Sequence, residues 1–509
     1  MRRAARDALP SALAIVPMLV LYAATAQRDV QFWDVGEMQT VPWILGIAHP
    51  TGFPIYVISG WLFSHAFALG SIAWRLSLFS SIAMCAASWF VYRFVRDEGG
   101  VPWVAAATAL AFTGIDIVWS RGTRADVHGP ALLLVAIAFF CAYRWYATGD
   151  ARALVRSGLA LGVGLSVHPV VLFVIPAATV LACLGRRRLD LRLAATSVVA
   201  TLAPLISYLY LPLRSFAVST QHRDPTLALG LPPGAPFWDY AHPADLSSFV
   251  WLVTGAQFHK TAAFLAFLDP HALVASLAAA ARFLWAHAAW QCALASLGVA
   301  VTVRRSPVVA AALLLLGSCV VPFAFAYLEE ADKERYLLTS LFALTCLAGV
   351  GASSLARAAA RIGAGSARRT EAVVAAMLVA SAAVQVYANR NVVAINADGR
   401  ARRYVSDVVA ASPDDAVVAA DWTYATPLAY AAYVDGTFGR RIAVALTIPQ
   451  ARRRFRAWSR SRCVLYASDD ARPIADGAFE TRALTHRAPY VFSVSAPRTD
   501  RCRRRISLR

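Results

Sequence analysis

Long apolar runs recur along most of this chain, and they decide which solvent it must fold in. Runs at 10–26, 76–95, 101–119, 127–146, 154–168, 169–184, 192–212, 284–303, 307–327, 336–356 and 371–389 approach the roughly 20 residues that a helix needs to cross a hydrocarbon core. No water bonds the backbone at that depth, so a helix, whose hydrogen bonds are internal, is the natural solution for each run. Of 509 residues, 58% are hydrophobic and 16% charged, which excludes an ordinary soluble domain. The expectation is an α-helical polytopic membrane protein of about 11 spans. A further stretch, 53–70, is broken by Pro54, Gly60, His65 and Gly70, and either spans or lies in the interface.

Charge orders the spans. The net charge is +19, carried almost wholly by arginine. The arginines fall in short clusters between apolar runs, which suits anionic lipid and argues against a nucleic-acid partner. Arg2, Arg3 and Arg6 place the N-terminus in the cytoplasm as an uncleaved signal anchor. Clusters at Arg93/Arg96, Arg144/Arg152/Arg156, 186–188 with Arg192, Arg304/Arg305 and Arg357/Arg361/Arg368/Arg369 recur at every second turn. They share the side of the N-terminus only if 53–70 is interfacial, so that reading is preferred. The expected organisation is a spanning domain, 1–391, with outer loops 27–75 and 214–283, and an extracytoplasmic domain at 392–509.

That last region changes character. Short apolar segments at 416–421 and 463–466 read as buried strands, and 404–411 and 427–433 read as helices. Their alternation predicts a small C-terminal α/β domain. Cys463 and Cys502 lie there and can pair in an oxidising compartment. The other six cysteines sit in apolar runs as small hydrophobes, and none has zinc-site spacing. The basic run at 501–505 reads as a solvated tail near lipid headgroups.

The side opposite the arginine clusters collects ionisable groups. Asp34 and Glu37 share one face if helical, and a carboxylate there can take the proton of an attacking hydroxyl. The alternative is a pair of solvated loop acids, or a helix N-terminal charge. Phe32, Trp33, Met38 and Trp43 flank them and favour the functional reading. The turn His49-Pro50-Thr51-Gly52-Phe53-Pro54 either holds His49 against the acids or only reverses the chain. Arg121, Arg124 and His128 recur at helical spacing around Asp126, as a phosphate clamp or as structural pairs of Arg124 with Asp126 or Arg121 with Asp34. His168, before Pro169, marks a reversal and is a ligand or a bonded structural residue. Arg214 ends a span as an anchor or a headgroup ligand. Lys333 and Arg335 follow acids at 329, 330 and 332, either meeting a lipid phosphate or salt-bridging their own loop. The stretch 221–260 carries Pro232, Pro233, Trp238, Asp239, His242, Trp251 and His259, a composition that suits sugar or peptide contact.

Several segments together resemble a known family. They are Asp34-Val-Gly-Glu37, Gly46-Ile-Ala-His49-Pro50-Thr-Gly-Phe-Pro54, Trp74-Arg75-Leu-Ser-Leu, and Trp119-Ser-Arg121 with Ala125-Asp126-Val127. Further along come Gly164-Leu-Ser-Val-His168, Tyr210-Leu-Pro212-Leu-Arg214, Glu334-Arg335-Tyr336, Ala401-Arg-Arg-Tyr404-Val and Asp421-Trp422-Thr-Tyr424. The pattern resembles the protein O-mannosyltransferase-like multispanning family (domain of unknown function 2723), a branch of the C-type glycosyltransferase superfamily. Val35 stands where that family usually has serine, and Phe237-Trp238-Asp239-Tyr240 is the nearest counterpart of its Asn-Trp-Gly-Asp-Pro-like element.

The resemblance implies a polyprenyl-phosphate sugar donor, a carboxylate in the first outer loop as the catalytic group, and an inverting transfer. The expected function is movement of a sugar, mannose by resemblance alone, to an acceptor hydroxyl on a protein or glycan. It would act at the outer face of a bacterial inner membrane, among membrane lipids. Asp34 would be the base, Glu37 and His49 would orient it, and Arg121, Arg124, Arg214 and Arg335 would receive the phosphate. Asp126, His128, His168 and Lys333 complete the expected substrate-binding set. No dinucleotide or P-loop motif appears, so no cofactor is expected, and assistance by a divalent metal stays open. The alternatives are a transporter or lipid flippase, which would carry ionisable groups at mid-span, and a non-catalytic envelope scaffold.

Overall fold

The apolar runs become helices, as the absence of water around them requires. The computed structural model describes residues 2–185, 189–258, 269–326, 333–362, 367–469, 479–485, 488–495 and 502. The arginines at 186–188, His259, the acids at 329–332 and the arginines at 501 and 503–505 lie outside the described residues. Among those described, 8 helices are long and apolar enough to cross a membrane, from Asp7–Thr25 to Arg368–Ala411, and the protein is multi-pass. A ninth span arises if Pro102–Thr113 and Asp116–Gly122, bent by 71°, count as one. The runs expected at 154–168 and 169–184 fall on the shorter helices Ala151–Leu165 and Pro169–Cys183. The doubtful stretch 53–70 forms the 13-residue helix Pro54–Ala66, about 20 Å long and too short to cross. Its far end is tied off by Arg75, which donates to the carbonyls of Ser64 (2.8 Å), Ala68 (2.9 Å), Leu69 (3.1 Å) and Gly70 (3.1 Å).

The chain divides into two compact units. One comprises Met1–Ala26, Leu78–Ser207 and Gln257–Ile395; the other comprises Gln27–Ser77, Tyr208–Ala256 and Asn396–Arg509. The first is a bundle with small side chains at its contacts, where Val101, Val104 and Ala107 pack with Ala352, Ala356, Ala375 and Leu378. Small residues let membrane helices approach closely enough for dispersion to hold them. At the 71° bend, Asn389 donates to the Gly114 carbonyl (3.2 Å) and Tyr22 to that of Thr113 (2.6 Å). Those bonds satisfy carbonyls that the broken helix releases.

The second unit holds a five-stranded sheet of order β2-β1-β3-β5-β4. The strands are β1 (Val417–Ala420), β2 (Ile442–Ala445), β3 (Val464–Ser468), β4 (Glu480–Ala483) and β5 (Tyr490–Ser495). β1 pairs in parallel with β2 and β3, and β5 runs antiparallel to β3 and β4. The apolar segments that form β1 and β3 are continuous because central parallel strands are buried on both faces. Helices Trp422–Tyr433 and Ile448–Trp458 make the crossovers, the second entered through a capping box of Thr447 and Gln450. Val417, Ala419, Val444 and Tyr466 form a core with Phe455 and Trp458. Cys463 and Cys502 are disulfide-bonded. The helix expected at 427–433 begins five residues earlier, with Asp421 at its N-cap position.

Candidate active site

In the second unit, the first acidic motif becomes the helix Trp33–Ile44, with Asp34 in its first turn. There the exposed N–H groups of the helix favour a carboxylate. Gly36 is required between the two acids. A Cβ at that point would lie 2.4 Å from the Gln31 carbonyl and 2.9 Å from the Thr426 hydroxyl, so only glycine lets this helix approach Trp422–Tyr433. Asp34 is half-buried, and Glu37 is fully buried.

The turn at 49–54 brings His49 back onto the acids. Gly52 adopts φ +82°, a conformation that side chains resist, and so turns the chain. Both Glu37 oxygens are engaged by His49: Oε1 accepts its backbone N–H (2.8 Å), and Oε2 bonds its Nδ1. Burial pushes the Glu37 carboxyl above its usual range; His49 opposes the shift and the nearby Asp34 charge adds to it. Asp34, Glu37 and His49 each offer one ligand atom within 4.8 Å of the others, so this trio is where a metal ion would fit among the described residues. An ion there would have to share or displace the Glu37–His49 bonds.

One further ring bonds Asp34, and other rings pack on that ring. Trp422 donates its indole N–H to Asp34 Oδ1 at 2.9 Å. Its ring stacks on Phe237, with centroids 5.6 Å apart and planes 8° off parallel. The His49 and Tyr240 rings meet it edge-on, each at 6.1 Å. Residue-by-residue reading passed over Trp422 as a site residue; its one signal was the Asp421-Trp422-Thr-Tyr424 segment. Arg214 serves the C-terminus of the same helix. It donates to the Leu45 carbonyl and, at 3.0 Å, to that of Ile44, while its guanidinium lies 5.8 Å from the Trp238 ring. Asp239 is buried and bonded to His242 (2.6 Å), and burial raises its carboxyl above the usual range.

The first unit gathers most of the remaining site candidates around one carboxylate. Asp126 Oδ2 pairs with Arg121 Nη1 (3.1 Å) and Arg124 Nε (3.5 Å), and Oδ1 bonds both Nδ1 (2.7 Å) and the backbone N–H (2.8 Å) of His128. Burial alone would raise Asp126, but His128 and the two guanidinium groups hold it well below the usual carboxylate range. The Ser80 hydroxyl bonds the Asp126 backbone on both sides, at 3.0 and 3.1 Å. The His168 ring lies 4.6 Å from that of His128, and the Tyr336 ring is 5.6 Å away. Arg335 lies over Tyr336 at 5.3 Å, and Lys333 over Phe325 at 5.6 Å. His128 Nε2 is buried and has no hydrogen-bond partner among the described residues. The candidates thus fall into two groups, Asp34, Glu37, His49 and Arg214 in one unit and Arg121, Arg124, Asp126, His128, His168, Lys333 and Arg335 in the other.

Comparison with known proteins agrees with the motifs. Residues 34–190 match the family model of the protein O-mannosyl-transferase TMEM260 N-terminal domain. Among curated relatives, protein O-mannosyl-transferase tmem260 of Dictyostelium discoideum is 28% identical over 218 residues, 39% of this chain and 26% of that protein. The Mus musculus protein O-mannosyl-transferase TMEM260 is 27% identical over 207 residues, 38% of this chain and 29% of that protein. The chain therefore spans little more than a quarter of the length of the curated relatives it matches. The fold as a whole is similar to that of ArnT from Cupriavidus metallidurans. The apo structure has a TM-score of 0.55 at 13% identity, covering 98% of this chain and 99% of that one. The structure of the same protein bound to undecaprenyl phosphate gives a TM-score of 0.56, also at 13% identity and with the same coverage. Residues 34–190 are thus similar to the O-mannosyltransferase-like family that the motifs resemble.

Proposed function

We propose that this protein is an inverting glycosyltransferase that moves a mannose-like hexose from a polyprenyl-phosphate donor to an acceptor hydroxyl, with protein Ser or Thr as the acceptor class. The carrying observation is the Asp34 carboxylate at a helix N-terminus, with Glu37 and His49 ligand atoms within 4.8 Å of its own. A carboxylate so placed removes the acceptor proton as the hydroxyl attacks the anomeric carbon. The relatives named as protein O-mannosyl-transferases support the sugar and acceptor. The fold shared with a protein solved with undecaprenyl phosphate supports the donor. Arg121, Arg124 and Arg335 are the cations that would meet the departing phosphate, since preorganised positive charge stabilises what develops there. Asp126 keeps the first two in place, with His128 and His168 beside them, and Lys333 completes the set. The reaction belongs on the extracytoplasmic face of a bacterial inner membrane, where a lipid-linked donor presents its sugar to an exported acceptor.

The test uses the full chain in nanodiscs with undecaprenyl-phosphate-[³H]mannose and Ser/Thr-rich acceptor peptides. Wild type is expected to label the peptides, and Asp34→Asn to lower kcat by roughly 10²–10⁴-fold. Equal rates would remove Asp34 as the base, and an unlabelled wild-type reaction would sink the reading. For sidedness, Arg440→Cys replaces a largely exposed side chain of the C-terminal domain. A membrane-impermeant maleimide should label it on intact spheroplasts; labelling only after lysis would reverse the orientation.

A further inference from the structure

We infer that Trp422 is a positioning residue for the reaction, aiming the Asp34 carboxylate at the acceptor hydroxyl through its indole N–H. The inference rests on Asp34 acting as the base. Indole nitrogen is a donor only, so Oδ1, bonded to it at 2.9 Å, is committed as an acceptor. A base needs a fixed lone pair, and a carboxylate that rotates freely presents none. In the transfer the acceptor O–H bond breaks and its proton goes to the Asp34 carboxylate. The acceptor oxygen then bonds the anomeric carbon, and the bond from that carbon to the phosphate oxygen breaks, with its electron pair leaving on the phosphate.

The indole is itself held. Phe237 stacks on it with planes 8° apart, and Phe237 is bridged through its backbone to Ile47, just after the acid-bearing helix. Tyr240 closes a second edge, and the His49 ring closes a third at 85°. His49 is in turn fixed by both Glu37 oxygens. Glu37 therefore acts through His49 and Trp422 and is a support of the base rather than a second base. Its burial leaves it unable to meet an acceptor directly.

The C-terminal domain contributes this residue. Trp422 is the first residue of the helix after β1, so the end of the parallel strand sets where the indole begins. Parallel strands commonly deliver functional groups at their C-terminal ends. The C-terminal α/β domain thus supplies a residue to the site in the second unit.

Trp422→Phe keeps a ring to stack on Phe237 and removes the donor. It is expected to lower kcat about ten- to a hundredfold, the loss of one hydrogen bond to a charged group, with KM for undecaprenyl-phosphate-mannose within about twofold. A variant that keeps the wild-type kcat overturns the inference. A readout independent of activity is the [¹⁵N]indole spectrum of the full chain in nanodiscs. The resonance absent from Trp422→Phe should shift in Asp34→Asn, and an unmoved resonance also overturns it. Should Asp34→Asn transfer sugar as fast as wild type, the proposed base is lost and the inference with it. The indole shift then still reports whether the bond exists, so the two failures are told apart.

Discussion

Two buried carboxylates in this protein each lean on a histidine Nδ1, and their environments push them in opposite directions. Glu37 in the second unit has both oxygens on His49 and the negative Asp34 nearby, and its carboxyl is pushed up. Asp126 in the first unit has His128 together with Arg121 and Arg124, and its carboxyl is pushed far down. Burial is nearly equal, at 0% and 7% exposed, so desolvation does not separate them. What separates them is that Asp126 has, besides His128, two permanently charged guanidinium groups at 3.1 and 3.5 Å, whereas Glu37 has the negative Asp34 nearby. The Glu37 pair is suited to holding a neighbouring ring in place, and the Asp126 pair to holding arginines fixed for an anion.

The largest expected effect breaks the second of these. Asp126→Asn leaves Arg121, Arg124 and His128 facing each other without their anion, and breaking a buried pair this way costs about 3–5 kcal/mol. Thermal unfolding in detergent should show a clear drop in midpoint, and a variant as stable as wild type would break the comparison. Glu37→Gln should cost less, about 1–2 kcal/mol, because the amide preserves the shape of a carboxyl already inclined to be neutral. Equal losses in the two variants would mean that their charge states do not differ.

Acidity sharpens the contrast. The Glu37 carboxyl is raised in the folded state, so the stability it adds is present below the unfolded value, near 4.3, and is lost as pH rises through the higher folded value. The penalty of Glu37→Gln should therefore shrink between pH 5 and pH 7.5. Asp126 is lowered, so its contribution is present above the unfolded value, near 3.9, and is lost only as pH falls through the far lower folded one. The penalty of Asp126→Asn should stay flat over the same interval. Parallel trends for both variants in pH-dependent unfolding would contradict this account. The smallest effect belongs to Arg335→Lys, which exchanges one cation over the Tyr336 ring for another and should move stability by no more than about 1 kcal/mol.

Much of this was legible in the sequence. The runs of apolar residues marked the helices because burying their backbone in hydrocarbon leaves no other solution. The alternation after 392 pointed to the α/β sheet through β1 and β3, whose uninterrupted apolar character is that of central strands. β2, β4 and β5 were missed: Ile442–Ala445 is only four residues long, and edge strands such as Glu480–Ala483 carry polar residues that look like loop. Spacing alone brought Arg121, Arg124, Asp126 and His128 together, since all four lie within eight residues of chain. His168 and Tyr336 reach the same place from distant segments, and local spacing has no means of showing that.

The sequence by itself determined the solvent, the class of fold and the two short stretches on which the carboxylates sit, because hydrophobicity and backbone propensity act over one or two turns. Only the tertiary structure decided what each carboxylate meets. Trp422 stands 388 residues from Asp34 along the chain, yet its indole is bonded to it. Arg214, expected to receive the phosphate, donates to the carbonyls of Ile44 and Leu45. Such partnerships depend on which backbones approach, and Gly36 permits one of them by having no side chain at all.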